Sequence, residues 1–463
     1  MKETISRKIT STLGELQKLH TTQIILLSFT LAIIAGTILL SLPISATNGR
    51  LSLIDALFTS TSAVCVTGLI VVDTATELTR FGQTVVLILI QLGGLGIMTF
   101  GVVFTILLGG RFSVRDRMVM QNTLSYLPKQ NINSLIKAVF MTTFLIEFVG
   151  FAVLFIRWIK YFPVKEAAFN ALFHSVSAFC NAGFSTFPDS LVQFQGDVVT
   201  NFAIIILIFF GGIGFLVHAE LRNYINRHTP RMQISLHTKM TVTFSILFII
   251  IGMIFIFFME GGNALVDASM GERLLGSLFQ SVTTRTAGFN SLNIRSMTNG
   301  VLFIMMFLMF IGASSGSTGG GIKINTFAVL FALCKSRFSG EHKVSMFKRT
   351  IPRETIRKCL TIFVAAIFVI LFFVIALSIS EAHRVNQIGT RGMFYELVFE
   401  VVSAFGTVGL SAGYTPHLTN TGRLLITILM LIGRVGPLTV ALAVGRKEQK
   451  GLYQYAEENI MVG

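Results

Sequence analysis

Four short segments of small and polar residues, each ending near a glycine, interrupt an otherwise apolar chain. The glycines are Gly68, Gly183, Gly288 and Gly409, and they recur 105 to 121 residues apart. Each follows a phenylalanine by nine or ten residues, the third segment being one residue short. This spacing fits a whole supersecondary unit written four times rather than a short solenoid repeat. The segments read DALFTSTSAVCVTGL, NALFHSVSAFCNAGF, GSLFQSVTTRTAGFN and LVFEVVSAFGTVGL.

The backbone of these segments could bind a monovalent cation. In the first segment, a short helix fits the stretch that begins at Ser52 or Asp55. Val66, Thr67 and Gly68 would then run extended with their carbonyl oxygens toward an axis, because glycine permits the required backbone geometry. A ring of such carbonyls replaces the hydration shell of a cation, and the C-terminal ends of four short helices add partial negative charge. The predicted ligands are the backbones of Val66, Thr67, Gly68, Asn181, Ala182, Gly183, Thr286, Ala287, Gly288, Thr407, Val408 and Gly409.

The rest of the chain is apolar enough to place these segments inside a membrane. The chain is 52% hydrophobic and 13% charged, with a mean hydropathy of +0.74, unlike an ordinary soluble domain. Several apolar runs reach or approach the roughly 20 residues that cross a bilayer as helix. They cover residues 23–42, 85–108, 201–217, 241–259, 360–379 and 424–444.

The net charge of +15 does not indicate nucleic acid, because the basic residues gather in loops between helix pairs without interleaved aromatic residues. By the positive-inside rule, these loops and both termini are cytoplasmic. The four cysteines lack zinc-site spacing and give no argument for disulfides. No catalytic constellation or cofactor fingerprint is present, so we expect neither an enzyme nor an organic cofactor.

The predicted fold is an all-α integral membrane protein with four parallel helix–pore loop–helix repeats around one central pore. It has eight transmembrane helices and four short pore helices. Parallel copies argue against the inverted halves of a secondary transporter. The predicted units are a cytoplasmic leader (1–22), four repeats (23–110, 132–221, 240–338 and 359–445) and a cytoplasmic tail (446–463).

With one glycine per segment and the ending EENIMVG, the chain resembles the Trk/Ktr/HKT superfamily of potassium transporters over almost its whole length. It is most similar to the Ktr membrane subunits, because its first unit starts near residue 23. The resemblance implies sodium-stimulated potassium uptake across a bacterial cell membrane, with potassium in the pore and sodium as a second ion. It also implies a homodimer with one pore per protomer, contacts with membrane lipid, and a cytosolic RCK-domain subunit (KtrA-like) that binds ATP or ADP.

The third unit breaks its second helix at GASSGSTGGGIK, residues 312–323, and the sequence predicts that it alone is broken fully. The segment is not a Walker A loop, because Ile322 separates the glycines from Lys323. The resemblance makes it an intramembrane gate below the pore loops, and a kinked, closely packed helix is the alternative. The gate residues are Gly312, Ala313, Ser314, Ser315, Gly316, Ser317, Thr318, Gly319, Gly320, Gly321, Lys323 and Arg434.

The sequence also predicts roles for five individual side chains, of which Arg434 belongs to the gate and the other four do not. Arg434, at membrane depth, is a barrier to cations or an anchor for the gate, the alternative being a side chain that snorkels to the cytoplasm. Glu400 is favoured as a hydrogen-bonding strut over a cation ligand, and Arg285 as a brace behind the pore loop. His174 is expected to be a satisfied interior histidine. Glu147 could face the pore or a second subunit.

Two function classes follow from these patterns. The first is a potassium-selective pore driven by the membrane potential. The second is a sodium- or proton-coupled carrier with alternating access. The four parallel segments favour the pore, because a carrier should show paired broken helices in inverted halves. The GGxG patterns in the second helices are assigned to helix packing.

Overall fold

The computed structural model describes most of the chain, and this part is predominantly helical, as the predicted all-α class requires. Within the described residues, the β-strands form one hairpin of β1 (Ser345–Met346) and β2 (Arg349–Thr350). The predicted leader and tail fall almost wholly outside the described residues. The described residues are 21–107, 132–225, 234–382, 390–437 and 439–440.

The helices follow a recurring order of long helix, short helix and second helix. The first two predicted repeats contain α1 (Thr21–Leu40), α2 (Leu53–Val64), α3 (Arg80–Leu107), α4 (Ile132–Trp158), α5 (Val164–Phe179), α6 (Val198–Ile213) and α7 (Phe215–Ile225). The last two contain α8 (Leu236–Glu260), α9 (Met270–Thr283), α10 (Asn299–Phe310), α11 (Ile324–Phe338), α12 (Arg353–Glu381), α13 (Thr390–Gly406) and α14 (Asn420–Val435).

Three described helices are long and apolar enough to cross a membrane. They lie at Lys137–Trp158, Leu236–Glu260 and Arg353–Glu381, the first helices of the last three predicted repeats. The pair α6 and α7 meets the same criterion together but is bent by 96°. The other apolar helical stretches, Ile25–Leu40, Leu53–Val64, Arg80–Gly96 and Asn299–Phe310, are shorter. The eight predicted transmembrane helices therefore stay a prediction.

The short helices start where capping residues allow. Ser52 precedes α2 and accepts a hydrogen bond from the Asp55 backbone N–H at 3.1 Å, as the sequence predicts. Ser269 and Glu272 form a reciprocal capping box at the start of α9. The Ser269 backbone N–H bonded to Glu272 lowers the pKa of that carboxyl. These two short helices thus have a capped first turn, whereas α5 follows Pro163 without a side-chain cap.

The repeated phenylalanine of each segment holds its short helix in the core. Phe58, Phe173, Phe279 and Phe399 are completely buried. In a lipid environment, close side-chain packing replaces the exclusion of water as the main stabilising term. The four phenylalanines therefore fix the depth of the helices whose ends carry the predicted ligands.

The second helices are interrupted in all four units, so the prediction that only the third breaks fully is wrong. α3 is kinked at Gly96, α6 and α7 meet at Gly214, and α14 ends at Gly436. The φ angles there are 62°, 91° and 93°, a left-handed region that side-chain-bearing residues rarely adopt. In the third unit the interruption widens into the loop 312–323 between α10 and α11.

Candidate cation site and its covering loop

The four predicted glycines lie together and form a closed ring, called here the glycine ring. A Cβ built on Gly68 would contact the backbone of Gly183, and one on Gly183 would contact Gly288. A Cβ on Gly288 would contact Gly409, and one on Gly409 would contact Gly68. Residues separated by more than a hundred positions are thus brought into neighbouring places around one point.

Each glycine packs against a carbonyl oxygen of the next unit. A Cβ built on any of the four would approach that oxygen closer than 3.0 Å, a distance that real Cβ atoms do not show. Glycine is therefore required at all four positions by packing and by positive φ angles of 68° to 91°. The oxygens that face Gly68, Gly183, Gly288 and Gly409 belong to Ala182, Ala287, Val408 and Thr67, respectively.

The backbone before each glycine is also unusual. The first residue of each predicted ligand triplet has a positive φ angle: 55° at Val66, 59° at Asn181, 70° at Thr286 and 49° at Thr407. The middle residue of each triplet does not, so the sign of φ alternates along the triplet. This alternation turns successive carbonyl groups toward the same side, which is the arrangement that a carbonyl-lined cation site needs.

A hydroxyl residue ties each triplet to its short helix. Ser62 Oγ accepts a hydrogen bond from the Gly68 N–H at 3.1 Å, and Ser403 Oγ accepts one from Gly409 at 3.1 Å. Ser177 and Thr283 donate to the carbonyl oxygens of the residues that follow their glycines. The backbone N–H of each middle residue donates to the carbonyl of the same hydroxyl residue, at 2.7 to 3.0 Å. The amide groups are thus directed toward the helices.

Sequence reasoning missed these hydroxyl residues, although a signal was present. Ser62, Ser177, Thr283 and Ser403 each stand four residues after the repeated phenylalanine. The third segment is one residue shorter only between Thr283 and Gly288. Its hydroxyl residue therefore keeps the same distance from the phenylalanine as in the other segments.

Two side chains brace the segments that follow the glycines. Glu400 is completely buried and accepts hydrogen bonds from Ser411 at 2.5 Å and from Thr415. At the same position of the second unit, His174 bonds to Ser185 at 3.0 Å and to a backbone carbonyl of its own helix. The strut predicted for Glu400 and the satisfied interior histidine are both confirmed.

Arg285 and Glu147 are both buried close to residues that precede predicted ligands. Arg285 donates to the Ser245 hydroxyl at 2.9 Å and to its carbonyl at 3.3 Å, so it braces its segment against α8 as predicted. Glu147 is 5% exposed and accepts a hydrogen bond from Gln91 at 3.3 Å. Its carboxylate also lies 4.0 Å from the Cys180 sulfur, between the first and second units.

The loop 312–323, called here the covering loop, is bound to the interrupted second helices. Ser314 N–H donates to Gly212 at 3.0 Å, Thr318 N–H to Gly211 at 3.3 Å, and Gly321 N–H to Gly433 at 3.3 Å. Residues at the end of a helix have carbonyl oxygens without intrahelical partners. The carbonyl oxygens next to the interrupted helix ends therefore accept the hydrogen bonds that hold the covering loop.

The consecutive glycines of the covering loop pack directly against the predicted ligand triplets. A Cβ on Gly319 would collide with the Thr286 hydroxyl, and one on Gly320 with the Thr407 hydroxyl. Gly321 has a φ angle of 66° and packs on the backbone at residue 406. Glycine is thus needed here for close backbone approach below the ring.

Arg434 anchors the covering loop to a neighbouring helix, and Lys323 makes a bond within the loop. Arg434 is 5% exposed and donates to the carbonyl oxygens of Thr318 and Gly93. Lys323 Nζ donates to the Gly319 carbonyl at 2.5 Å. Arg434 is therefore buried as an anchor, and the alternative of a snorkelling side chain is wrong.

The GGxG motifs of the first two units, and the GRVG sequence at the matching position of the fourth, have two roles rather than one. Their first glycines pack against short helices: a Cβ on Gly93, Gly211 or Gly433 would collide with the carbonyl oxygen of Val64, Phe179 or Phe405, respectively. Their last glycines take the positive φ angles that interrupt the helices. The packing role was predicted, whereas the interruption was not.

The ring offers a cation neutral oxygen ligands. Across the described ranges, no group of three or more histidine, cysteine, aspartate or glutamate side chains could hold a metal ion. Neutral carbonyl oxygens suit a weakly hydrated monovalent cation, whereas divalent ions are usually bound with carboxylates.

Comparisons with known proteins identify the family. The chain matches the model described as TrkH, cation transport protein, over residues 7–455. It is 40% identical to Ktr system potassium uptake protein B of Bacillus subtilis (strain 168), covering 95% of this chain and 96% of that protein. It is 37% identical to the potassium/sodium uptake protein NtpJ of Enterococcus hirae, covering 96% and 98%.

A solved structure supports the fold. The crystal structure of the potassium transporter TrkH from Vibrio parahaemolyticus aligns with a TM-score of 0.71 at 19% identity, over 91% of this chain and 83% of that one. At this identity, the likeness concerns the fold alone. Together with the family match, it confirms the resemblance drawn from the four glycine segments: the chain belongs to the TrkH family of cation transport proteins.

Proposed function

We propose that the chain takes up potassium across the cell membrane through a pore whose selectivity filter is the glycine ring with its carbonyl oxygens. The closed order of Gly68, Gly183, Gly288 and Gly409 is the observation that carries this proposal. The names of the relatives, which refer to potassium uptake and to potassium/sodium uptake, agree with it. The membrane potential supplies the driving force, about 2.3 kcal/mol per charge for each 100 mV.

The covering loop is the gate in this proposal. Gly319 and Gly320 lie against the triplets of the third and fourth units, and an ion leaving the ring on that side meets the loop. Lys323 and Arg434 place positive charge there, which opposes the passage of a cation while the loop is in position. Opening the pore requires the loop to lose its hydrogen bonds to the broken helices.

A cytosolic partner would control this movement. The term "Ktr system" in the names of relatives implies a second subunit, and we propose an RCK-domain protein that binds ATP or ADP. We further propose a homodimer with one pore per protomer, multi-pass insertion in a bacterial cell membrane with both termini cytoplasmic, and stimulation by sodium.

A coupled carrier is the second candidate function. The interrupted second helices at Gly96, Gly214 and Gly436 favour it, because carriers build midplane sites from broken helices. The closed glycine ring favours the pore, since it arranges ligands around a through-going axis rather than between two rocking halves.

Tracer rubidium flux into liposomes that contain the purified protein separates the two. We expect potassium to compete with rubidium far better than sodium does, and Gly288→Ser to reduce this preference, because its side chain would collide with the Val408 carbonyl. Gly271→Ser is the matched control, since a Cβ at that exposed glycine meets nothing within 4 Å. Flux that needs a coupled sodium or proton gradient and ignores Gly288 would favour the carrier.

A further inference from the structure

The first residue of each ligand triplet differs chemically among the four units. The residues are Val66, Asn181, Thr286 and Thr407, all completely buried and all with positive φ angles. They stand two residues before the ring glycines, and Thr286 and Thr407 contact the covering loop. This end of the ring therefore faces the loop.

Two hydroxyl groups converge there without a hydrogen-bond partner. Among the described residues, neither Thr286 Oγ1 nor Thr407 Oγ1 has a protein partner. They lie against Gly319 and Gly320, which are consecutive in the chain, so both hydroxyls adjoin a single peptide group. A buried hydroxyl left unpaired costs about 1–3 kcal/mol, so both hydroxyls gain a partner only when the covering loop withdraws and a ligand can reach them.

The other two units do not supply equivalent groups. Valine at position 66 has no polar side-chain atom. The Asn181 amide is satisfied when its nitrogen donates to the carbonyl oxygens of Ala178, at 3.0 Å, and Ile208, at 3.2 Å. The two free hydroxyls thus belong to the neighbouring third and fourth units, on the side where the covering loop lies.

We propose that the Thr286 and Thr407 hydroxyls form an inner site for a monovalent cation such as potassium or rubidium, which the Gly319–Gly320 peptide covers. Neutral hydroxyl oxygens that rotate freely are suitable ligands for such an ion. The inference rests on the proposed pore and adds side-chain ligands to a filter otherwise built from backbone.

The covering loop and a cation at this site exclude each other. With the loop in place, its glycine backbone contacts both hydroxyls and the Lys323 ammonium lies 2.5 Å from the Gly319 carbonyl. A cation beside the hydroxyls would then meet backbone atoms and a like charge. The loop therefore closes the pore by occupying the position that the innermost cation takes when the loop withdraws.

Valine substitutions isolate the hydroxyl groups. Valine has nearly the shape of threonine, and Val66 shows that this backbone conformation accepts it. We expect Thr286→Val and Thr407→Val each to raise the half-saturating rubidium concentration for flux into liposomes by roughly five- to tenfold. Thr286→Ser and Thr407→Ser keep the hydroxyl and should stay near wild type. Thr427→Val is the control, because its hydroxyl bonds only within α14 at 2.7 Å.

The outcomes separate this site from the pore itself. Unchanged rubidium affinity in both valine variants, with potassium preferred over sodium, would overturn the inner site and leave the proposed filter standing. Increased flux at unchanged affinity would assign the threonines to holding the loop and would also overturn the site. A wild-type protein without potassium preference would instead contradict the proposed function.

Discussion

The Arg434 guanidinium donates to the carbonyl oxygen of Thr318 in the covering loop and to that of Gly93 in α3. One buried side chain of the fourth unit thus connects the loop of the third unit to the broken helix of the first. Such charge-assisted bonds are stronger than those between neutral groups, so this residue is the principal anchor that the loop has toward the first unit.

We predict that Arg434→Gln raises rubidium flux in the absence of any cytosolic partner. The glutamine variant lacks the positive charge and has one donor nitrogen in place of the two that bind Thr318 and Gly93. The closed position of the covering loop is therefore destabilised. A shift of about 1.4 kcal/mol would increase the open population roughly tenfold while that population is small. Liposome flux of the purified variant measures this. Arg423→Gln is the control, since its ion pair with Asp55 does not involve the loop. Flux at or below wild type, from a folded variant, would contradict the anchor.

We predict that Ser403→Ala weakens the preference for potassium over sodium. The Ser403 hydroxyl accepts a hydrogen bond from the Gly409 N–H. Without this bond, the backbone around Gly409 can move away from its position in the ring. Competition of the two ions against rubidium flux measures the change. Ser403→Thr should retain the preference, because Thr283 already serves the third unit at this position. If alanine and threonine behave alike, the hydroxyl has no role in ring geometry.

We predict that Glu400→Leu lowers the free energy of unfolding by about 1–3 kcal/mol for each hydroxyl that it leaves unpaired. Ser411 and Thr415 both donate to this carboxylate, and Glu400 and Thr415 are completely buried. Thermal unfolding of the detergent-solubilised protein checks the change. Glu400→Gln retains one acceptor oxygen and should fall between wild type and the leucine variant. An unaltered midpoint in Glu400→Leu would show that the strut does not contribute to stability.

We predict that Gly214→Ala destabilises the protein by about 1–3 kcal/mol. Gly214 has φ 91° and ψ 147°, a combination essentially restricted to glycine, and it sets the 96° bend between α6 and α7. Thermal unfolding again provides the measurement. Gly271→Ala lies in an ordinary helical position with free space around it, and should be neutral or slightly stabilising. If the two variants had equal thermal unfolding midpoints, the bend between α6 and α7 would not require glycine.

Much of the ring could be predicted from sequence because its residues belong to short local segments that repeat. The four glycines, the short helices before them and the start at Ser52 all follow from spacing and capping chemistry. The strut at Glu400 and the satisfied interior histidine at His174 could be anticipated because a buried polar side chain on a short helix needs a partner nearby.

The helix breaks at Gly96, Gly214 and Gly436 could not be predicted in the same way. At Gly214 the surrounding residues FFGGIGFLVH read as a continuous apolar helix, and glycine permits a left-handed φ without requiring it. What decides the outcome is the covering loop, from more than a hundred residues away, which takes the freed carbonyl oxygens as acceptors. Likewise, Gln91 and Glu147 meet only through tertiary packing, which no local pattern reveals.

The glycine ring is assembled from one polypeptide, so a point mutation alters one quadrant and leaves three intact. In a pore made from four identical subunits, the same mutation would appear four times. If the ring is the proposed selectivity filter, a single substitution changes the ligands of one quarter of it. The valine, asparagine and two threonines at the inner end of the ring show that the four quarters already differ in sequence.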